Sequence, residues 1–128
     1  MTMKTKTSEL IGAALDWTVA KCEGVKVIFS GTGFLIYSDK SIPTGPLGRI
    51  YQPSAAWAQG GPIIERERID IKWDRVVWVA SSRWIQDKER VYEYGPTPLH
   101  SAMRCYVASK LGDTVEVPEE LCVKVSKT

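Results

Sequence analysis

A chain of 128 residues with 44% hydrophobic and 25% charged side chains has the size and make-up of one globular domain rather than of a disordered or fibrous chain. Its longest apolar runs, such as Val76-Val77-Trp78-Val79-Ala80, fall far short of the roughly 20 residues that a membrane-spanning helix needs. The 17 basic residues are interleaved with 15 acidic ones to a net charge of +2, so no polycationic stripe forms and strong nucleic-acid binding is not expected.

The start, Met-Thr-Met-Lys-Thr-Lys-Thr-Ser, is basic but leads into an amphipathic pattern holding Glu9 and Asp16 rather than a uniform apolar signal core, which points to the cytosol. Residues 1–6 are expected to be a flexible end. From Ser8 to Lys21, Leu10, Ile11, Ala14, Leu15, Thr18 and then Cys22 recur three and four apart, the period of one buried helical face. Thr7 or Ser8 is the expected N-cap and Gly24 the stop. Val25–Phe29 and Phe34–Tyr37 read as strands of a hairpin joined at Ser30-Gly31-Thr32-Gly33. Ser38 to Gly48 holds Pro43, Gly45 and Pro46 and reads as a loop.

The segment from Tyr51 to Pro62 mixes turn formers with Trp57 and fits no period, so it reads as a second loop. Beyond it, Ile69, Ile71 and Trp73 alternate with charged residues, and Val76, Trp78 and Ala80 alternate again after Asp74-Arg75, which predicts a second hairpin. Trp84 to Tyr94 is compatible with a surface strand or an irregular stretch, and the pattern does not decide between them. Thr97 is then a good N-cap, Pro98 a good first helical residue, and Leu99, Ala102, Met103, Tyr106, Val107 and Leu111 follow at helical spacing to a left-handed cap at Gly112. A short strand, Val115-Glu-Val117, precedes Pro118, and 124–128 is expected to be a second flexible end. The chain therefore reads as a single α+β domain over 1–128, two main helices packed on an antiparallel sheet built from short hairpins.

Three cysteines, Cys22, Cys105 and Cys122, are odd in number and lack C-x-x-C spacing, which suggests free packed thiols. One histidine, His100, argues against a zinc site or a serine-histidine-aspartate triad, and it is expected at the rim of the second helix. The carboxylates Glu65, Glu67, Asp70 and Asp74 alternate with arginines and lysines and read as a self-paired charged face rather than as a general acid and base. Gly31-Thr-Gly33 lacks the third glycine of a dinucleotide fingerprint. No catalytic residue, metal or cofactor is expected.

Two features point to binding. The amides opening the helix at Thr97 suit a phosphate or carboxylate, although plain capping also explains them. The segment around Trp57, with Tyr51, Gln59, Gly60 and Gly61 and the following Arg66 and Arg68, combines an aromatic face, a backbone that a ligand can approach and cations for phosphates. Of the five tryptophans, Trp17 and Trp78 read as core, and for Trp57 and Trp84 core and ligand or interface duty are evenly balanced.

Three ordered blocks carry a family resemblance: Ala-Leu-Asp16-Trp17-Thr-Val-Ala-Lys, Trp57-Ala-Gln-Gly-Gly-Pro-Ile-Ile-Glu-Arg-Glu, and Gly-Pro-Thr-Pro-Leu with Ala-Met-Arg-Cys-Tyr-Val-Ala-Ser-Lys-Leu-Gly. Together, from about Thr7 to Pro118, the chain resembles the phage NinX-type proteins. The resemblance implies a phage or prophage origin and a nonessential accessory role, with no assigned activity. Phage origin in turn suggests a sponge that sequesters a nucleotide-type host immune signal in the host cytosol without catalysis, often as a homo-oligomer. In that picture a base stacks on Trp57 or Tyr51, and Arg66, Arg68, Arg104 and the amides at Thr97 hold phosphates. A protein-interaction module is the first alternative and a nucleotide-cleaving enzyme using Glu65 and Glu67 the second.

Overall fold

The computed structural model describes residues 1–29, 34–39 and 48–122. Within them the chain is an α+β domain of three α-helices and three small antiparallel sheets. Strand β1 (Thr2–Lys6) pairs along its whole length with β8 (Thr114–Pro118), so the stretch expected to be a flexible end holds a strand tied to the far end of the fold. The second expected flexible end, 124–128, lies outside the described residues, as does the turn at 30–33.

Helix α1 (Gly12–Glu23) starts later than its apolar period suggests, with Ile11 at the N-cap and no side-chain cap. Thr7 has another task. It is buried, its hydroxyl donates to the Gly112 carbonyl at 2.7 Å and its amide donates to Asp113, which ties the N-terminal arm to the turn leaving the last helix. Gly24 ends α1 in the left-handed region, as its position implies.

Strands β2 (Val27–Phe29), β3 (Leu35–Tyr37) and β4 (Ile50–Tyr51) form one sheet, with the predicted hairpin pairing Val27 with Tyr37. Most of the expected loop from Ser38 to Gly48, residues 40–47, lies outside the described residues. The segment after β4 is not the loop that its glycines and proline suggest. It turns at 53–55 and enters helix α2 (Trp57–Glu67), with Pro62 inside. Packing overrides the weak helix propensity of Gly60, Gly61 and Pro62: Gly60 and Ile63 are buried on the inner face, and Ile64 packs against the core.

The second predicted hairpin is present as β5 (Asp70–Trp73) and β6 (Trp78–Ser81). Asp74 shapes the turn between them by accepting from the Val76 and Val77 amides. The undecided stretch resolves into irregular chain with a tight Ile85 to Lys88 bridge, and then β7 (Tyr92–Gly95) joins β6 as a third strand. Helix α3 (Pro98–Leu111) begins and ends where the sequence places it. Its stop differs from the expected left-handed cap: Gly112 has φ 94° and ψ −169°, a region essentially reserved for glycine.

Helix α3 is the axis of the molecule. It packs on one face of the β5–β6–β7 sheet and against α1 and α2. Every residue from Ser101 to Ala108 is buried, the pattern of a helix enclosed on all sides. Leu10, Leu15, Val19, Met103, Val107 and Val117 form the centre of the core. Cys105 is buried and Cys22 and Cys122 are half-buried, all as free thiols, and burial pushes the Cys105 thiol up to about 12. Among the described residues no helix is long and apolar enough to cross a membrane.

Candidate functional site

The two helices that open at Trp57 and Pro98 start side by side. An open groove of about 270 Å³ runs between them, lined by Ser54 and Ala55 from the turn before α2, by Trp57, and by Thr97, Pro98, Leu99 and His100 at the start of α3. Gly60 makes this approach possible. A Cβ added there would lie 2.5 Å from the Pro53 carbonyl oxygen and 2.7 Å from Leu99 Cδ2. The glycine read as freedom for a ligand to approach thus serves the approach of the protein's own chain.

Trp57 is the first residue of α2 and remains 56% exposed at the groove. Thr97 caps α3 as predicted, its hydroxyl oxygen accepting from the His100 amide at 3.1 Å, while His100 Nδ1 lies 2.8 Å from the same oxygen. Burial, and secondarily the charge of Arg104, holds the His100 imidazole below its ordinary range. Removing the cap by Thr97→Ala should cost about 1 kcal/mol, measured by urea unfolding at neutral pH. An unchanged midpoint would show that water replaces the hydroxyl without loss.

Beneath the groove lies a residue that the sequence reading left without a role. Asp16 of α1 is only 5% exposed, and its Oδ1 accepts from the Ser54 amide at 2.8 Å. Burial raises its pKa from 3.8 to about 7 against the opposing backbone and side-chain hydrogen bonds of Ser54. Its signal in the sequence was a carboxylate next to Leu15 on a helix rich in small and apolar residues, because a charge enters such a face only with a partner.

The other expected site residues lie elsewhere. Tyr51 is a core residue, 4% exposed, with its ring edge-on to Tyr37 at 5.3 Å, and burial pushes its phenol far up. Gln59 accepts from the Gln52 amide at 2.6 Å and donates to the Ile50 carbonyl at 2.8 Å, pinning β4 to α2. Gly61 is half-buried next to Trp57.

None of the three arginines lines the groove. Arg66 reaches the far end of α2, where it pairs with Glu23 and, at 2.9 Å, with Glu67, and also donates to the Tyr106 hydroxyl. Burial alone would raise the Glu23 carboxyl, but the hydrogen bonds of Arg66 and Tyr106 outweigh it and hold the group below the usual carboxylate range. Arg68 is the left-handed C-cap of α2, with its side chain exposed. Arg104 is 9% exposed and donates to the Leu10 and Tyr94 carbonyls. The self-paired charges read from the sequence are present in part: Glu67 of α2 pairs with Arg66 and lies 3.4 Å from Lys110, and Asp70 of β5 pairs with Arg90 at 2.8 Å. Among the described residues, no group of three or more histidine, cysteine or acidic side chains could hold a metal ion.

The groove therefore offers two helix N-termini, one exposed indole face, one imidazole and no cation. Such a lining suits a planar group joined to an anionic one. A comparison with curated proteins returns no match. The family model described as Bacteriophage P22, NinX matches residues 6–110, which takes in both helix starts, the groove, the first two blocks of the sequence resemblance and all but the last two residues of the third. That span is most of the chain, and the protein belongs to the phage NinX family.

Proposed function

We propose that this NinX-family protein is a phage accessory protein that binds a nucleotide-type small molecule in the groove between α2 and α3, removing a host immune signal by sequestration in the host cytosol. The observation that carries the reading is the convergence of Trp57 and the Thr97–His100 turn on one cavity. Binding of this kind needs no general acid, nucleophile or metal. The ligand's base lies on the exposed indole, and its phosphate lies at the two helix starts, where the positive end of each helix dipole substitutes for the arginines that the sequence suggested. The protein acts as a homo-oligomer in the same reading, so that each chain contributes one groove.

Fluorescence titration of the purified protein with a panel of mono-, di- and cyclic nucleotides tests this. One class should quench the indole emission stoichiometrically. Trp57→Ala should weaken that ligand at least tenfold, because a base stacked on an aromatic side chain is worth about 1–3 kcal/mol. A variant that melts like the wild type and binds equally well would sink the site.

A second reading rests on a separate observation. Trp73, Val76, Tyr92 and Tyr94 are exposed on and beside the β5–β6–β7 sheet, and exposed aromatics of this kind anchor protein partners. If the protein is an interaction module, Trp73→Ala should abolish capture of one stoichiometric partner from host lysate, and Trp57→Ala should not.

A further inference from the structure

The β5–β6–β7 sheet has two outer edges, and the fold treats them differently. In an antiparallel ladder, residues that bond to the neighbouring strand alternate with residues whose backbone groups point away from it. The Ser82 amide donates to the Val91 carbonyl at 2.9 Å, so Glu93 and Gly95 turn their backbone groups to β6, and Tyr92 and Tyr94 turn theirs outward. Arg104 closes that edge in part by donating to the outward Tyr94 carbonyl. On the other side the Asp74 amide donates to the Val77 carbonyl at 3.1 Å, so Asp70 and Lys72 bond to β6, and Ile71 and Trp73 face away from it. Among the described residues, the outward amides and carbonyls of Ile71 and Trp73 have no partner. Besides β6, α3 is the main element packed on β5, and it lies chiefly over β6 and β7.

An edge with free backbone groups is a template for another strand, and a lysine on it ordinarily deters pairing. Here a neighbour on the same face reverses that effect. Asp70 and Lys72 lie two apart, on the sheet face opposite to Ile71 and the core. Both are exposed, and Asp70 stays 69% exposed although it pairs with Arg90. When β5 meets a second β5 antiparallel about a two-fold axis at Ile71, the two Ile71 residues exchange their outward backbone bonds. Asp70 then stands opposite Lys72 of the copy, and Lys72 opposite its Asp70, in non-hydrogen-bonded pairs, where side chains come closest. Opposite charges so placed stabilise a sheet and like charges destabilise it. Centring the pair one residue to either side would set Lys72 against Lys72 or Asp70 against Asp70.

We propose that β5 is a homodimerisation edge, on which a second copy of this chain adds its own β5 in the register centred on Ile71 to make one six-stranded antiparallel sheet. A two-fold interface must be complementary to itself, and Asp70-Ile71-Lys72 matches its own reverse, which identifies the occupant as this chain. Trp73, 50% exposed, comes level with Ile69 of the copy and adds apolar contact at each end. The inference rests on the homo-oligomer of the proposed function and gives it an interface. It makes no use of the ligand, since no residue lining the Trp57 groove belongs to β5.

Sedimentation velocity across micromolar concentrations should show a monomer–dimer equilibrium in the wild-type chain. Asp70→Lys and Lys72→Asp each place like charges opposite one another twice in this register. Each should weaken dimerisation at least tenfold and remain folded, since both positions are exposed. Mixing the two variants restores both opposite pairs, so the mixture should form a heterodimer as tightly as the wild type forms its homodimer. Amide exchange at Ile71 and Trp73 should slow as the dimer forms. A wild-type chain that stays monomeric at high micromolar concentration, single variants that associate like the wild type, or a mixture that does not restore association would each overturn the proposal. So would a dimer in which the Ile71 and Trp73 amides exchange as fast as in the monomer, which would place the interface elsewhere. A monomer that still binds a nucleotide at Trp57 would overturn this inference alone, and a dimer in the stated register that binds none would count against the sequestration reading alone.

Discussion

Raising the pH from about 4 to about 8 is expected to remove about 4 kcal/mol of folding stability through Asp16 alone, at about 1.4 kcal/mol for each pKa unit between 3.8 and about 7. The sign follows from the direction of the shift. The folded protein binds this proton more tightly than the unfolded chain does, so the stabilisation is complete below the unfolded value and is lost as the pH rises through the folded one. His100 works oppositely: its imidazole is held below its ordinary value by burial and by Arg104, so its contribution grows as the pH rises through that depressed value towards 6.5. Asp16→Asn separates the two. The amide oxygen can still accept from the Ser54 amide, but the position no longer titrates. Urea unfolding of both proteins across this range should show the variant gaining about 4 kcal/mol relative to the wild type between the two ends. A difference that stays constant with pH would mean that Asp16 is ionised in the fold throughout.

The second large effect is a change of sign between neighbouring glycines. Gly→Ala inside a helix ordinarily stabilises by up to about 1 kcal/mol, and Gly61→Ala should do so, since its new methyl would meet nothing nearer than Trp57 Cε3 at 3.9 Å. Gly60→Ala should instead destabilise by about 2 kcal/mol or more, the range of overpacked cores. Its methyl would stand 2.5 Å from the Pro53 carbonyl oxygen, a backbone atom that a rotamer change cannot move aside. The groove should widen at the same time, because Leu99 on α3 is the other obstacle. Thermal melts of the two variants decide the matter, and a Gly60→Ala protein as stable as Gly61→Ala would show that the two helix starts are not packed as described.

These two glycines also show why α2 was hidden in the sequence. Gly60, Gly61 and Pro62 in succession carry the local signature of a turn, and only the contacts of Gly60 with Pro53 and Leu99 make a helix the better solution. A faint signal existed in the helical spacing of Gly60, Ile63, Ile64 and Glu67, but a glycine does not score as an apolar residue. Helix α3 was legible because Thr97 and Pro98 open it with capping chemistry that no tertiary contact needs to supply, and the hairpin of β5 and β6 because its alternation is local.

The candidate site was legible in part. Trp57 and Thr97 lie together at one groove, although forty residues apart in the chain. The arginines were not readable, because satisfaction is a property of the neighbours: Glu23 comes from α1 to meet Arg66, and the Leu10 carbonyl comes from the N-terminal arm to meet Arg104. Asp16 was missed for the same reason, its partner Ser54 standing 38 positions away.

Native mass spectrometry of the protein purified from host cells during phage infection tests the sequestration account most directly. The account predicts a released nucleotide-type molecule at about one per groove, absent from a folded Trp57→Ala variant. A wild-type protein that carries no small molecule and takes up none from a nucleotide extract of the same cells would contradict it.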